Sequence, residues 1–342
     1  MTRLGTLVCV FLFSVASENS LAQDFHFSQI SRTLSFQNPA FIGFGKSKLK
    51  SSMHYRSQWR SASSLYKTSA LSAEVQLKPK AMNLNHFGFG ILVLNDVAGD
   101  LNLKTTKADF CLSYAQFLNR NISVSAGIKF GFLQNSIDLT NARWGNQYDG
   151  IGHNANLASN ETPDVVPYGQ WDAGAGFLFS YLGSSAFRSW KLEFLQLGGA
   201  VQHLNHPGAS FANPSIAKHG LLFNVQGFSS FSSGIKGIAV CPSFQYQVKG
   251  KEQELVAGTL IRRTLKSNGS LELLAGIHYR FIHDALIPSV YINYKSFGFG
   301  LSYDINLSRL APATNFRGGF EFSLKFISKG GVSNSDSHFP SI

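Results

Sequence analysis

Residues 49–60 have the sequence LKSSMHYRSQWR, in which apolar and polar side chains alternate. The apolar members are Leu49, Met53, Tyr55 and Trp59, and the polar members are Lys50, Ser52, His54, Arg56, Gln58 and Arg60. Successive side chains of a β-strand point to opposite faces. The stretch therefore predicts a strand with one apolar face and one strongly polar face.

Further along the chain, the same alternation recurs in residues 122–130, 171–181 and 297–306. Each run is about ten residues long, which is the length a tilted strand needs to cross a bilayer. No stretch after the N-terminus is apolar for long enough to cross as a helix. A mature chain that enters the bilayer must then do so as a closed barrel, because closure pairs every backbone group.

Strands of a soluble β-sandwich also alternate apolar and polar residues. The residues at the ends of the runs distinguish a membrane barrel from such a sandwich. Aromatic residues lie at or near many ends, as in the interfacial girdles of outer-membrane barrels. We therefore predict an all-β fold, a transmembrane antiparallel up-and-down β-barrel of about 14 strands. It spans residues 49–327, and the alternating run 318–326 closes it.

The N-terminus predicts export. Arg3, the short apolar run 7–15 and Ser20-Leu21-Ala22 fit a cleaved signal peptide of residues 1–22. The alternative, a membrane anchor, needs roughly 20 apolar residues. We expect residues 23–48 to lie at the periplasmic mouth or in the lumen, and residues 328–342 to form a flexible tail.

The net charge of +11 belongs to the mature chain, because the signal removes one basic and one acidic residue, Arg3 and Glu18. The basic residues are scattered singly along strand-like segments, so we predict no nucleic-acid partner. Anionic lipid head groups of the outer membrane, or an acidic protein, fit this charge better. Cys111 and Cys241 remain after cleavage; they could pair, but packing roles in strands fit them better.

Loop lengths predict which rim of the barrel faces the outside. With both termini periplasmic, the two longest connections, 135–167 and 204–215, are extracellular, and the short ones are mostly periplasmic. Their mixture of aromatic and polar residues suits protein recognition. We predict partner binding there by four residues: Trp144, Tyr148, His153 and His206.

The polar faces predict a charged lumen lined by Lys50, His54, Arg56, Arg60 and Asp172. Two interpretations stay open. Such a lining could select what enters the lumen, or the lumen could be packed with its own ion pairs, involving carboxylates such as Glu74, Asp109 and Asp172.

No motif predicts catalysis, a cofactor or a metal. Three Gly-Phe-Gly repeats, at 43–45, 88–90 and 298–300, lack the spacing of phosphate loops, and we expect strand glycines that relieve crowding in a curved wall. There is no Gly-x-Ser-x-Gly elbow. His203 and His206 have a loose metal-like spacing without a third ligand nearby in sequence. Asp96 and Asp100 more simply form a turn than a calcium site.

An ordered set of motifs resembles the PorP/SprF family of Bacteroidetes outer-membrane proteins. The set comprises QDFHFSQ at 23–29, NPAFIG at 38–43, YRSQW at 55–59, NDVAGD at 95–100, QNSID at 134–138, QHLNHP at 202–207, Tyr279-Arg280 with Asp284-Ala285, and SYDIN at 302–306. Together the motifs cover nearly the whole mature chain. The chain departs from the family pattern in two places, residues 30–37 and the segment after Phe326. These departures concern which partner the protein engages more than the family to which it is similar.

This resemblance implies a non-enzymatic component of the type IX secretion and gliding machinery in the outer membrane. It also implies two partners: a secreted cargo recognised through its C-terminal sorting domain, and a periplasmic component that binds peptidoglycan. The runner-up is a passive porin or hydrophobic-solute channel, which the same strands could build. A third class of function is a membrane-embedded hydrolase.

Overall fold

A computed structural model describes the chain from Asp24 to Ser328, except residues 46, 59–65, 80–83, 141, 162–166, 184–185, 188–189, 210, 212–216, 267–269, 283 and 310. The predicted signal peptide, Arg60 and the predicted tail after Ser328 lie outside the described residues. Within them, no helix is long and apolar enough to cross a membrane.

The described chain is dominated by antiparallel β-strands. They are β1 Leu49–Gln58, β2 Tyr66–Leu77, β3 His86–Ala98, β4 Leu103–Phe117, β5 Ile122–Ser136, β6 Tyr168–Leu182, β7 Ala186–Phe187, β8 Trp190–Gln202, β9 Leu222–Ser232, β10 Ile238–Lys249, β11 Glu252–Thr264, β12 Leu271–Arg280, β13 Ala285–Tyr294, β14 Phe297–Asn306 and β15 Arg317–Ile327. Four short helical turns accompany them: Leu34–Gln37, Pro39–Phe41, Gly145–Gln147 and Ala311–Thr314.

Fourteen of these strands form a closed up-and-down barrel, which confirms the predicted fold class. Neighbours in sequence pair in order, β1 pairs with β15, and β6 pairs with β8. The two-residue strand β7 pairs only with β8, so it stands outside the ring. Closure leaves no free edge, which is the condition for β-structure in a bilayer.

Burial along several strands is inverted relative to a soluble protein. In β5 and β6, Phe130 is 53% exposed and Trp171 is 58% exposed, whereas Ser125, Lys129 and Asp172 are buried. The same inversion runs through β1 and β14, where Met53 and Leu301 face out while His54 and Ser302 face in. The apolar faces of these strands therefore belong to the lipid-facing surface, and their polar faces line the lumen.

Connections of different length emerge at the two rims. One rim carries the long connections 137–167 and 203–221, and the other carries short ones such as 118–121 and 295–296. Long loops face outside in outer-membrane barrels, so we term these the extracellular and the periplasmic rim.

Candidate functional site

The lumen of the barrel is filled by the N-terminal part of the chain, residues 24–45, which we call the luminal segment. It begins at the extracellular rim, where Asp24 contacts His203 and Lys249 at the ends of β8 and β10. It leaves at the periplasmic rim, where Lys50 at the start of β1 donates a 2.6 Å hydrogen bond to the carbonyl of Phe44. The segment therefore spans the lumen from one rim to the other.

Near the extracellular end, two backbone amides of the luminal segment are clamped by the wall. The N–H groups of Ser28 and Gln29 donate to the carboxylate of Glu321 at 2.7 and 3.1 Å. The Ser28 hydroxyl donates to Asp304 at 2.8 Å, and Arg280 donates to that hydroxyl at 2.9 Å. Charge-assisted bonds of this kind are about twice as strong as neutral ones, so they fix the position of the segment.

Two arginines share one buried carboxylate at this clamp. Arg56 and Arg280 each donate to Asp304 Oδ2 at 2.9 Å, and Arg56 also donates to the carbonyl of His26. Arg280 lies 3.0 Å from Glu254 as well. The charges of this part of the lumen are therefore engaged with one another and with the luminal segment.

Midway along the segment, Asn38 makes a turn and anchors it. Its side-chain oxygen accepts from Ala40 N at 2.9 Å and caps the short helical turn that begins at Pro39. Its amide nitrogen donates to the carbonyls of Phe177 and Gly199 at 3.0 and 3.3 Å. One side chain thus both shapes the turn and attaches it to β6 and β8.

Apolar side chains of the segment fill the space between the polar contacts. Phe27, Ile30, Phe36, Phe41 and Ile42 are each at most 4% exposed. They pack against the lumen-facing apolar residues Ala70, Leu92, Leu94, Cys111, Ala115, Leu178, Phe194, Phe228, Val256 and Ile287. These contacts make a packed core along the luminal segment, beside which a cavity of about 200 Å³ remains, lined by residues that include Arg32, Cys241 and Tyr291.

Glycines in the wall leave room where the luminal segment passes. A Cβ on Gly88 would lie 2.2 Å from the carbonyl oxygen of Ile42, and one on Gly127 would lie 2.4 Å from the carbonyl carbon of Pro39. Side chains of the luminal segment crowd four more glycines of the wall. Asn38 lies against Gly176 and Gly198, Arg32 lies against Gly298, and Gln29 lies against Gly300. The expectation of strand glycines was wrong for Gly43, which lies in the luminal segment with φ +64°.

A second set of lumen charges forms its own network. Lys107 contacts Asp172, and it lies 3.8 Å from Asp109; Lys129 lies 3.6 Å from Asp109. Lys50 is half-buried and lies 3.4 Å from Glu74. The side chains of His54 and Arg56 are buried and point into the lumen. These charges of the described lumen therefore form ion pairs with one another.

At the extracellular end, His203 bridges two carboxylates. Its Nε2 lies 2.9 Å from Asp24 and its Nδ1 lies 2.9 Å from Asp172. Burial disfavours the charged imidazole, but Asp24 and Asp172 outweigh it and raise the pKa of His203. Burial would likewise raise the pKa of Asp24, yet His203 and Lys249 hold it well below the usual range. Burial and the ammonium of Lys249 lower the pKa of His219 to about 4.

The first of the two long extracellular connections, 137–167, which we call the first extracellular loop, has structure of its own over residues 142–161. Tyr148 and His153 form a β-bridge, and His153 Nε2 lies 3.2 Å from Gln147 Oε1. Asp149 accepts hydrogen bonds from the N–H groups of Gly152 and Ile151, which lower its pKa. This turn leaves Ile151 95% exposed and Tyr148 61% exposed. Two large apolar side chains therefore face the solvent at the loop tip.

The predicted partner-binding residues lie in two different loops. Trp144 is half-buried, and Tyr148 and His153 are exposed in the first. His206 is exposed in the second, where its Nδ1 lies 3.1 Å from the carbonyl of His219. Sequence reasoning missed Ile151, because the exposure of an isolated apolar residue depends on the turn at Asp149.

Comparisons with known proteins agree with the resemblance seen in the motifs. The sequence model of one family, described as type IX secretion system membrane protein PorP/SprF, matches residues 19–326. Among curated proteins, no sequence gives a significant match.

Several solved structures of membrane barrels are similar to the chain. A channel for monoaromatic hydrocarbons, CymD, has 11% identity and a TM-score of 0.47, covering 86% of this chain and 92% of its own. BamA from Haemophilus ducreyi lacking POTRA domains 1–3 has 6% identity and a TM-score of 0.41, covering 82% and 70%. Outer membrane phospholipase A from Escherichia coli has 10% identity and a TM-score of 0.33, covering 81% and 96%. These likenesses carry no functional information for this chain.

Proposed function

Because the chain belongs to the PorP/SprF family of type IX secretion system membrane proteins, we propose that it is a non-enzymatic scaffold that anchors a secreted protein or assists its export. The scaffold resides in the outer membrane, as its family and its barrel of fourteen strands require. The cargo is recognised through its C-terminal sorting domain, and the extracellular loops are the contact surface. A periplasmic component that binds peptidoglycan engages the opposite rim.

The observation that carries this proposal is the filled lumen. The luminal segment crosses from rim to rim, is clamped by Glu321 and Asp304, and packs its apolar side chains against the wall. A porin keeps a water-filled lumen. A barrel whose lumen is packed in this way acts through its surfaces, which favours a scaffold over a channel.

The first extracellular loop supplies a suitable contact surface. The centres of protein interfaces are enriched in aromatic side chains and depleted of charge, and the loop tip presents Tyr148 and Ile151. The turn that presents them is held by backbone hydrogen bonds to Asp149. A surface that is already ordered loses less conformational entropy when it binds.

The test uses cells that express the full chain with Tyr148→Ser and Ile151→Ser together. We expect secreted proteins with the C-terminal sorting domain to fall several-fold at the cell surface, measured by quantitative mass spectrometry of surface-released protein. The barrel itself should stay at its normal level. The matched control is Asn156→Ser, an exposed residue of the same loop that leaves the apolar pair in place.

Affinity purification from detergent-solubilised outer membranes completes the test. We expect the unaltered barrel to carry a sorting-domain protein and a peptidoglycan-binding partner, and the double variant to keep only the second. Unchanged surface cargo in the double variant, and also after deletion of residues 142–161, would refute the assignment of this loop.

A further inference from the structure

Three metal-ligating side chains converge at the extracellular end of the lumen. Asp24 comes from the luminal segment, and His203 and His219 come from the two ends of the connection 203–221. One ligand atom of each lies within 4.8 Å of the other two. Both imidazoles are buried, and their rings stack with centroids 5.1 Å apart. Residues 24 and 203 are far apart in sequence, so this group was not visible as a motif.

The orientation of His203 is the one that metal-binding imidazoles usually have. Its Nδ1 lies 2.9 Å from the carboxylate of Asp172, and its Nε2 points to Asp24. A carboxylate behind the imidazole fixes the ring and makes the other nitrogen a better ligand. His203 also has φ +60°, which a non-glycine residue keeps only where its surroundings hold it.

The backbone of the loop holds His219 in position. Its N–H donates to the carbonyl of Pro207 at 2.8 Å, and its own carbonyl oxygen lies 3.1 Å from His206 Nδ1. His206 thus supports the loop and stands apart from the group of three. The group of three therefore includes His219 and does not include His206, whose loose metal-like spacing with His203 had no third ligand nearby in sequence.

A cationic group already lies among these ligands. Lys249 Nζ is 3.0 Å from His219 Nδ1 and 3.3 Å from Asp24 Oδ1. The surroundings therefore stabilise positive charge at this point. Lys249 is buried at the end of β10, so a metal ion and its ammonium would compete for the same place.

We propose that Asp24, His203 and His219 form a binding site for a divalent transition metal, and the set of two imidazoles and one carboxylate is typical of Zn²⁺. A water molecule would complete a tetrahedral coordination. Ligand atoms around zinc lie about 3.3 Å apart when each is about 2 Å from the ion, so the group must close slightly as Lys249 leaves. The bound ion would tie the start of the luminal segment to the extracellular loop.

The experiment measures binding of the metal alone to the purified full-length barrel. The protein is treated with EDTA, returned to metal-free buffer and titrated with ZnCl₂ by calorimetry. Titration with Co²⁺ then gives the visible absorption that distinguishes tetrahedral from octahedral coordination. We expect one equivalent of Zn²⁺ and a tetrahedral Co²⁺ spectrum. Folding of each variant is checked by its heat-dependent mobility on SDS gels.

Four variants make the assignment specific. Asp24→Asn and His203→Gln should each lower the affinity at least tenfold, and Lys249→Met should raise it, because the competing ammonium is gone. His153→Gln, an exposed histidine of the other loop, should leave it unchanged. Absence of a one-to-one complex in both the unaltered protein and Lys249→Met would overturn the proposal, as would binding that survives in folded His203→Gln.

Discussion

Gly43 of the luminal segment and Gly88 of β3 pack backbone against backbone: a Cβ on Gly43 would lie 2.6 Å from the Cα of Gly88. Each of these glycines is the first residue of a Gly-Phe-Gly repeat, at 43–45 and at 88–90. The wall and the segment inside it are therefore fitted to each other, which is the behaviour of a permanent core.

Replacing Gly88 by alanine tests this fit. The added methyl group would meet the carbonyl oxygen of Ile42 at 2.2 Å, so the luminal segment or β3 must move. We expect Gly88→Ala to lower the free energy of unfolding by about 1–3 kcal/mol, which is usual for overpacking. Urea unfolding of the purified barrel, followed by tryptophan fluorescence, measures it.

The control is Gly145→Ala, because a Cβ on Gly145 has no atom within 4 Å. Its free energy of unfolding should stay within about 0.5 kcal/mol of the unaltered value. Equal stability of the Gly88 and Gly145 variants would show that the luminal segment is not held against β3.

The shared carboxylate of Asp304 gives a second prediction. Asp304→Asn keeps the shape but leaves Arg56 and Arg280 without the charge that each contacts at 2.9 Å. Removing one partner of a buried ion pair typically costs about 3–5 kcal/mol, and the same urea unfolding should show this loss. Glu161→Gln removes an exposed carboxylate and serves as the control. A fully stable Asp304→Asn variant would contradict the clamp described here.

The orientation of the barrel predicts which residues are reached from outside the cell. Ile151 and Ile235 are both exposed, and they lie at opposite rims. In intact cells, a membrane-impermeant maleimide should label Ile151→Cys and should label Ile235→Cys only after the outer membrane is opened. The unaltered chain, with its buried Cys111 and partly buried Cys241, gives the background. The reverse pattern would invert the assignment of the rims.

The barrel itself was predictable from the sequence, because its information is local. Alternation with a period of two decides which face of each strand meets lipid, and the run 49–60 already shows it. The strand count and the long connections followed from the same pattern. Nothing beyond neighbouring residues was needed for these conclusions.

The interior was not predictable, because its contacts are distant in sequence. Ser28 binds Glu321 and Asp304, and Asp24 binds His203 and Lys249. The luminal segment shows no period that would give its path, and a glycine in a strand does not reveal what passes beside it. For the same reason, no sequence motif connects His203 with Asp24 and His219, the other two residues of the proposed metal site.

The most direct test of the central claim, that this is a packed scaffold and not a channel, is electrical recording in planar bilayers. The purified intact barrel should show no steady single-channel conductance, because the luminal segment fills the lumen from rim to rim. A variant lacking residues 24–45, checked for folding on SDS gels, should conduct. Porin-like conductance by the intact barrel, equal to that of the variant, would contradict the account.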